Sequence, residues 1–102
     1  MRNKIGDIKV IKLKIAGNIL DLDDKDLILD NGACYQVVTQ KAGKGFNWYY
    51  PVMSNDLFNG LKESELVFTN EELRQNAIRK YGDKSRCTYW KFDIERMQKL
   101  GY

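Results

Sequence analysis

The pair Asn31-Gly32 constrains this chain more than any other feature. Asn-Gly flanked by apolar runs is the strongest short-range signal for a β-hairpin, because both residues accept the positive φ of a tight turn. Leu27-Ile28-Leu29 lies on one side. Ala33 to Thr39 lies on the other, with Tyr35, Val37 and Val38 favouring extended backbone. An antiparallel sheet is therefore expected near the middle of the sequence, and the remaining segments have to fit around it.

Before the hairpin, Ile8 to Ile15 reads as a strand whose apolar phase slips by one residue. Ile8 and Val10 share one phase, and Ile11, Leu13 and Ile15 the other. Such a slip predicts a β-bulge. Gly17-Asn18 is expected to turn the chain, and Asp21 to Asp26 to form a solvated acidic loop. Calcium is not expected there. Counting from Asp21, Lys25 is fifth, Asp26 stands where an EF-hand needs Gly, and Gly32 where it needs Glu. After the hairpin, Lys41-Ala-Gly-Lys-Gly45 reads as a basic hairpin tip. It is not a phosphate loop, since Gly45 follows Lys44 where a Ser or Thr belongs. Phe46 to Tyr50 is the most aromatic strand, with Phe46, Trp48 and Tyr50 on one side and Asn47 and Tyr49 on the other.

Helix signals follow. Ser54 is placed to cap a short helix over 55–61, with Leu57, Phe58 and Leu61 as its buried stripe. Leu66-Val67-Phe68 reads as a brief strand. Thr69-Asn-Glu-Glu72 has the capping-box pattern and opens a helix to Tyr81, with Leu73, Ala77, Ile78 and Tyr81 inward and Gly82 as its stop. Arg86 to Phe92 is a further strand with Thr88, Trp90 and Phe92 toward the core. Asp93 caps a last helix that presents Ile94, Met97 and Leu100 inward and closes at Gly101. The expected fold class is α+β: a small bent antiparallel β-sheet or SH3-like barrel with C-terminal helices packed on it and the last strand at the barrel edge. The 102 residues fit a single domain, mainly β over 5–68 and helix-strand-helix over 69–102.

Composition narrows the chemistry. The chain has no histidine, which removes the usual general base near neutral pH and the commonest metal ligand. Its two cysteines, Cys34 and Cys87, are far apart and cannot by themselves complete a four-ligand zinc site. Cys87 beside Arg86 is the one candidate for an activated thiol, and no base is assignable to it. An enzyme is not expected, and neither a cofactor nor a metal is implied. The polar start, and the lysines that break the apolar stretch from Ile8 to Leu20, predict neither a signal peptide nor a membrane span. A cytoplasmic protein with reduced thiols is expected.

The formal net charge of +3 hides alternating blocks. Acids cluster at 21–30 and 56–72, and bases at 1–20 and 73–91. Two functional readings follow. In the first, the protein is a small non-catalytic binding protein that inhibits or regulates a protein partner acting on nucleic acid. Its contacts would come from Lys41, Lys44, Trp48, Tyr49 and Tyr89, because aromatic rings anchor interfaces. The acidic stretches would suit a nucleic-acid-binding channel. In whole-chain character, compact and rich in Lys, Asn, Asp and Ile, the sequence resembles small proteins of phages and mobile elements, many of which inhibit host defence nucleases as anti-CRISPR proteins do. In the second reading, nucleic acid is bound directly by Arg74, Arg79, Lys80, Lys84, Arg86 and Lys91 among aromatic residues. Fourteen acids and the lack of any RNP, KH, zinc-finger or helix-turn-helix signature weigh against it.

Overall fold

The computed structural model describes residues 9–39, 48–82 and 87–102, with the backbone alone for 48–51 and 81. The chain opens with an antiparallel hairpin of β1 (Ile11–Ile15) and β2 (Asn18–Leu22). Its turn is Ala16-Gly17, with φ of 53° and 84°. Two successive positive φ values match the right-handed twist of the flanking strands. The turn therefore lies one residue earlier than Gly17-Asn18, because Asn18 pairs with Ile15. Ile11, Leu13 and Ile15 alternate inward without interruption. The expected bulge does not fall within β1, since the strand begins at Ile11, and Ile8 lies outside the described residues.

The acidic stretch is less solvated than expected. Asp21 belongs to β2 and faces Lys12 across the hairpin, with Nζ and Oδ1 2.7 Å apart. Asp26 is buried at 1 % exposure, and its carboxylate accepts from the Asp23 backbone N–H at 3.0 Å. A buried carboxylate needs such a donor, so this part of the acidic run shapes its own turn.

The central hairpin joins β3 (Leu27–Asp30) to β4 (Tyr35–Thr39). Gly32 has φ of 87°, and the Asn31 carboxamide oxygen accepts from the Ala33 and Cys34 N–H groups. Then come β5 (Trp48–Met53), α1 (Asn55–Glu63), β6 (Val67–Phe68), α2 (Glu71–Tyr81), β7 (Thr88–Phe92) and α3 (Ile94–Lys99). The five-stranded sheet has the order β5-β4-β3-β7-β6, with every neighbour antiparallel. The architecture is α+β with a bent antiparallel sheet and C-terminal helices, and the sheet does not close into a barrel. The last strand sits inside the sheet, between β3 and β6, rather than at an edge. Both of its phases are apolar enough for that place: Tyr89 on one face, Trp90 and Phe92 on the other.

A bulge occurs where β4 meets β5. Gln36 pairs with Val52 and Val38 with Tyr49, so Tyr50 and Pro51 together oppose Val37. Proline has no N–H to give the ladder. An edge strand at a bulge is where a sheet tolerates it.

One sheet face packs under β1–β2, α1 and α3. Phe58 stacks on Tyr35 with ring centroids 4.0 Å apart and meets Trp90 edge-on at 5.3 Å. Ser54 caps α1 as expected, its hydroxyl accepting from the Leu57 N–H. The helix ends with Leu66 N–H donating to the Leu61 carbonyl and Glu65 N–H to that of Lys62. This is the Schellman pattern, with Glu65 at φ 59° in the position usually held by Gly. In α3, Ile94 and Met97 are buried, but Leu100 is 61 % exposed. The helix finishes at Lys99, which takes Leu100 off the inward stripe.

The other face packs under α2. Its cap is Asn70, whose side chain accepts from the Leu73 N–H at 2.7 Å. Thr69 does not form the expected capping box. Its hydroxyl donates to the Tyr89 carbonyl at 2.8 Å and ties the start of α2 to β7. Gly82, with φ of 94°, ends the helix.

Candidate functional site

Helix α2 crosses the sheet over Leu27, Leu29, Val38 and Tyr89 and packs through Ala77 and Leu73. It is narrower than the surface beneath it, so a groove opens along its side. The groove holds three hollows that share Lys91. The first, about 220 Å³, is walled by Lys25, Lys80, Lys91 and Asp24 over a floor of Leu27, Leu73 and Ala77. The second, about 210 Å³, runs toward α3 past Phe68 and Asp93. The third, about 300 Å³, lies near the start of α2 between Phe68, Asn70, Glu72 and Asn76.

Register explains why Lys91 is central. It stands opposite Leu27 of β3 on one side and Phe68 of β6 on the other. Strand alternation puts it on the face that carries Tyr89, under α2. It is half-buried, and among the described residues no carboxylate lies within ion-pair distance of its Nζ. The described ion pairs are exposed and do not include it: Lys9–Glu95, in the wall of the second hollow, and Lys12–Asp21, Arg74–Glu71 and Arg96–Glu65. Phe68, 40 % exposed, sets an aromatic ring beside the lysine.

The residues singled out in the sequence divide sharply. Lys41, Lys44, Lys84 and Arg86 lie outside the described residues. Trp48 and Tyr49 open β5, opposite Thr39 and Val38. Tyr89 is corrected: at 3 % exposure it belongs to the core under α2 and is no surface anchor. The strand carrying it has a packed layer on each face, and Tyr89 points into the one under α2. Arg74 and Arg79 are exposed on α2, but each has a neighbour on its own helix. Arg74 pairs with Glu71 at 3.1 Å, and Arg79 donates to the Asn76 carboxamide oxygen. These two arginines stand about 140° apart around the helix and make no common face. Among the described members of the basic set, Lys80 and Lys91 meet, in the first hollow.

Sequence reasoning missed Lys25, Phe68, Asn70 and Asn76. They come from a turn, a two-residue strand and a helix, and no local spacing links them. Beyond the groove, the Glu71 carboxyl is held below the usual carboxylate range by a hydrogen bond from Gln75 at 2.7 Å and by Arg74. In the wall of the second hollow, Glu95 is lowered in the same way by Lys9 at 2.5 Å, with Lys99 adding to the effect.

Among the described residues no three His, Cys, Asp or Glu side chains are grouped to hold a metal ion, and no helix is long and apolar enough to cross a membrane. Cys34 and Cys87 are half-buried thiols at one end of the sheet. They precede the two strands that flank β3. Two strand spacings, about 9–10 Å, separate such positions, beyond the reach of a disulfide. Comparison of the chain with protein families, with curated proteins and with solved structures finds no match to any of them.

Proposed function

We propose that this protein is a small non-catalytic binding protein of the cytoplasm that inhibits or regulates a protein partner acting on nucleic acid, in the anti-defence style of phage and mobile-element proteins such as anti-CRISPRs. The observation that carries this reading is the groove beside α2. A half-buried lysine with no carboxylate partner among the described residues stands next to an exposed phenylalanine, in walls that mix lysines, acids and amides. An exposed aromatic anchor with a polar rim is the character of a protein interface. A nucleic-acid surface would instead gather its bases on one face. Here the arginines of α2 point apart, and one is neutralised by Glu71. The choice of partner class is supported by the exposed acids Asp24, Glu63, Glu65 and Glu72, which complement a basic nucleic-acid channel.

The test has two arms. The purified protein is titrated with labelled single- and double-stranded DNA and RNA at several salt concentrations, and a tagged form is used to capture a partner whose nucleic-acid activity is then assayed. The expected result is negligible nucleic-acid binding at low salt and capture of a partner whose activity falls. Sub-micromolar nucleic-acid binding that weakens steeply with salt overturns the proposal in favour of direct binding. Capture by wild type, compared with Lys91→Glu and with a Trp48→Ala, Tyr49→Ala variant, decides which patch carries the contact.

A further inference from the structure

The groove has a definite chemistry at its first hollow. Lys91 occupies a sheet position under a helix, in a row with Leu27 and Phe68. A residue needed only to fill that space would be apolar, as Leu29, Val38 and Tyr89 are on the same face. Lys91 is half-buried, and among the described residues no carboxylate lies within ion-pair distance of its ammonium. Lys25 and Lys80 line the same hollow, and Asp24 is the one acid in its wall among the described residues. Three lysines and one carboxylate thus stand among the described residues around an apolar floor.

Cofactor and drug-sized ligands occupy clefts of about 300–1,000 Å³; this hollow by itself is about 220 Å³ and shares Lys91 with the two beside it. It suits one side chain. A phosphodiester would meet the lysines but bring nothing for Leu27, Leu73 and Ala77. A glutamate or aspartate brings both a carboxylate and an aliphatic stem.

We infer that this hollow receives an acidic side chain of the protein partner, its carboxylate on Lys91 and its stem on Leu27, Leu73 and Ala77, with an adjacent apolar residue of the partner against Phe68. The inference rests on the binding-protein reading and adds to it the chemistry of the segment that is recognised.

The probe is the capped tripeptide acetyl-Leu-Glu-Leu-amide, titrated into the ¹⁵N-labelled protein and followed by NMR. Its glutamine counterpart and oligothymidylate are run alongside. The glutamate peptide is expected to shift the amides of Leu27, Ala77 and Lys91, and the glutamine peptide to bind at least about tenfold more weakly, as loss of a charge-assisted contact implies. Lys91→Met is expected to abolish the shifts, whereas Arg74→Met, on another face of α2, leaves them intact. Circular dichroism checks both folds, with Lys91→Gln in reserve should methionine disturb packing. Equal binding of the two peptides, shifts elsewhere in the molecule, or no shifts at all overturn the inference. So does tighter binding of oligothymidylate at these amides. If a partner is captured while the hollow rejects the peptide, the hollow's assignment fails and the binding reading stands. If no partner is captured by wild type, the binding reading itself fails.

Discussion

The two faces of the five-stranded sheet are packed to different depths. On one, the β1–β2 hairpin, α1 and α3 enclose Met53, Phe58, Phe92 and Met97, each 1 % exposed or less. On the other, among the described residues, α2 covers Leu27 at 7 %, Leu29 at 5 %, Tyr89 and Val38 through the small residue Ala77. The first face uses its apolar area to hold the fold. The second is covered just enough to order α2, and the uncovered remainder is the groove. A sheet with a thick core on one side can leave polar and half-buried groups on the other without losing its fold.

The sharpest way to break that comparison is a matched pair of truncations. Phe58→Ala removes the ring between Tyr35 and Trp90 and is expected to cost about 3–5 kcal/mol. Leu27→Ala, at the rim of the groove, is expected to cost about 2 kcal/mol, near the low end for leucine, because solvent already reaches the site. Urea denaturation measures both, and equal losses would mean that the faces share the load.

A second measurement isolates α2. Asn70→Ala deletes its cap and is expected to cost about 1 kcal/mol, with faster amide exchange in α2 than in α1. Unchanged exchange in α2 would show that the sheet, and not the cap, holds that helix.

Two positions on the thick side carry left-handed backbone without glycine. Glu65→Gly at the end of α1 and Ala16→Asn in the first turn are each expected to gain about 0.5–1 kcal/mol by relieving that strain. The exposed Arg96–Glu65 pair, 3.6 Å apart, is too weak to offset this. Thermal melts would reveal the gain, and a loss in either variant would contradict the turn geometry.

The smallest effect is electrostatic. Glu71 and Glu95 have lowered folded-state pKa values, so their contributions are present above the ordinary carboxylate pKa and fade as pH falls through the lowered folded values. NMR titration of the glutamate carboxyls is expected to find these two ionising below the ordinary carboxylate range, and Lys9→Met to return Glu95 toward it. Both groups are exposed, so added salt should shrink the difference.

Much of the fold was legible because it is written in local chemistry. Ser54, Asp93, Gly82 and Gly101 marked helix ends by their own side chains or by lacking one. The hairpin around Asn31-Gly32 followed from turn residues between apolar runs. The errors occurred where tertiary contacts competed with local preference. Thr69 left the cap position to Asn70 because its hydroxyl reaches the β7 backbone. Asp26 left solvent because the Asp23 N–H receives it. Tyr89 looked like an exposed ring only while its strand was placed at an edge. The candidate site was hardly legible. Lys80 and Lys91 were singled out for their charge, but nothing in the sequence joined them to Lys25, Phe68, Asn70 and Asn76.

By itself the sequence determined the periods, the stops and the turns: where extended segments alternate, where helices begin, and which chemistries the missing histidine removes. Those follow from interactions within a few residues. Only the tertiary structure decided the strand order β5-β4-β3-β7-β6 and the burial of both faces of β7. It also decided that a lysine 66 positions along the chain from Lys25 (91 − 25) shares a hollow with it. Strand order is set by how apolar faces find cover at long range, and no local pattern encodes which partner supplies that cover.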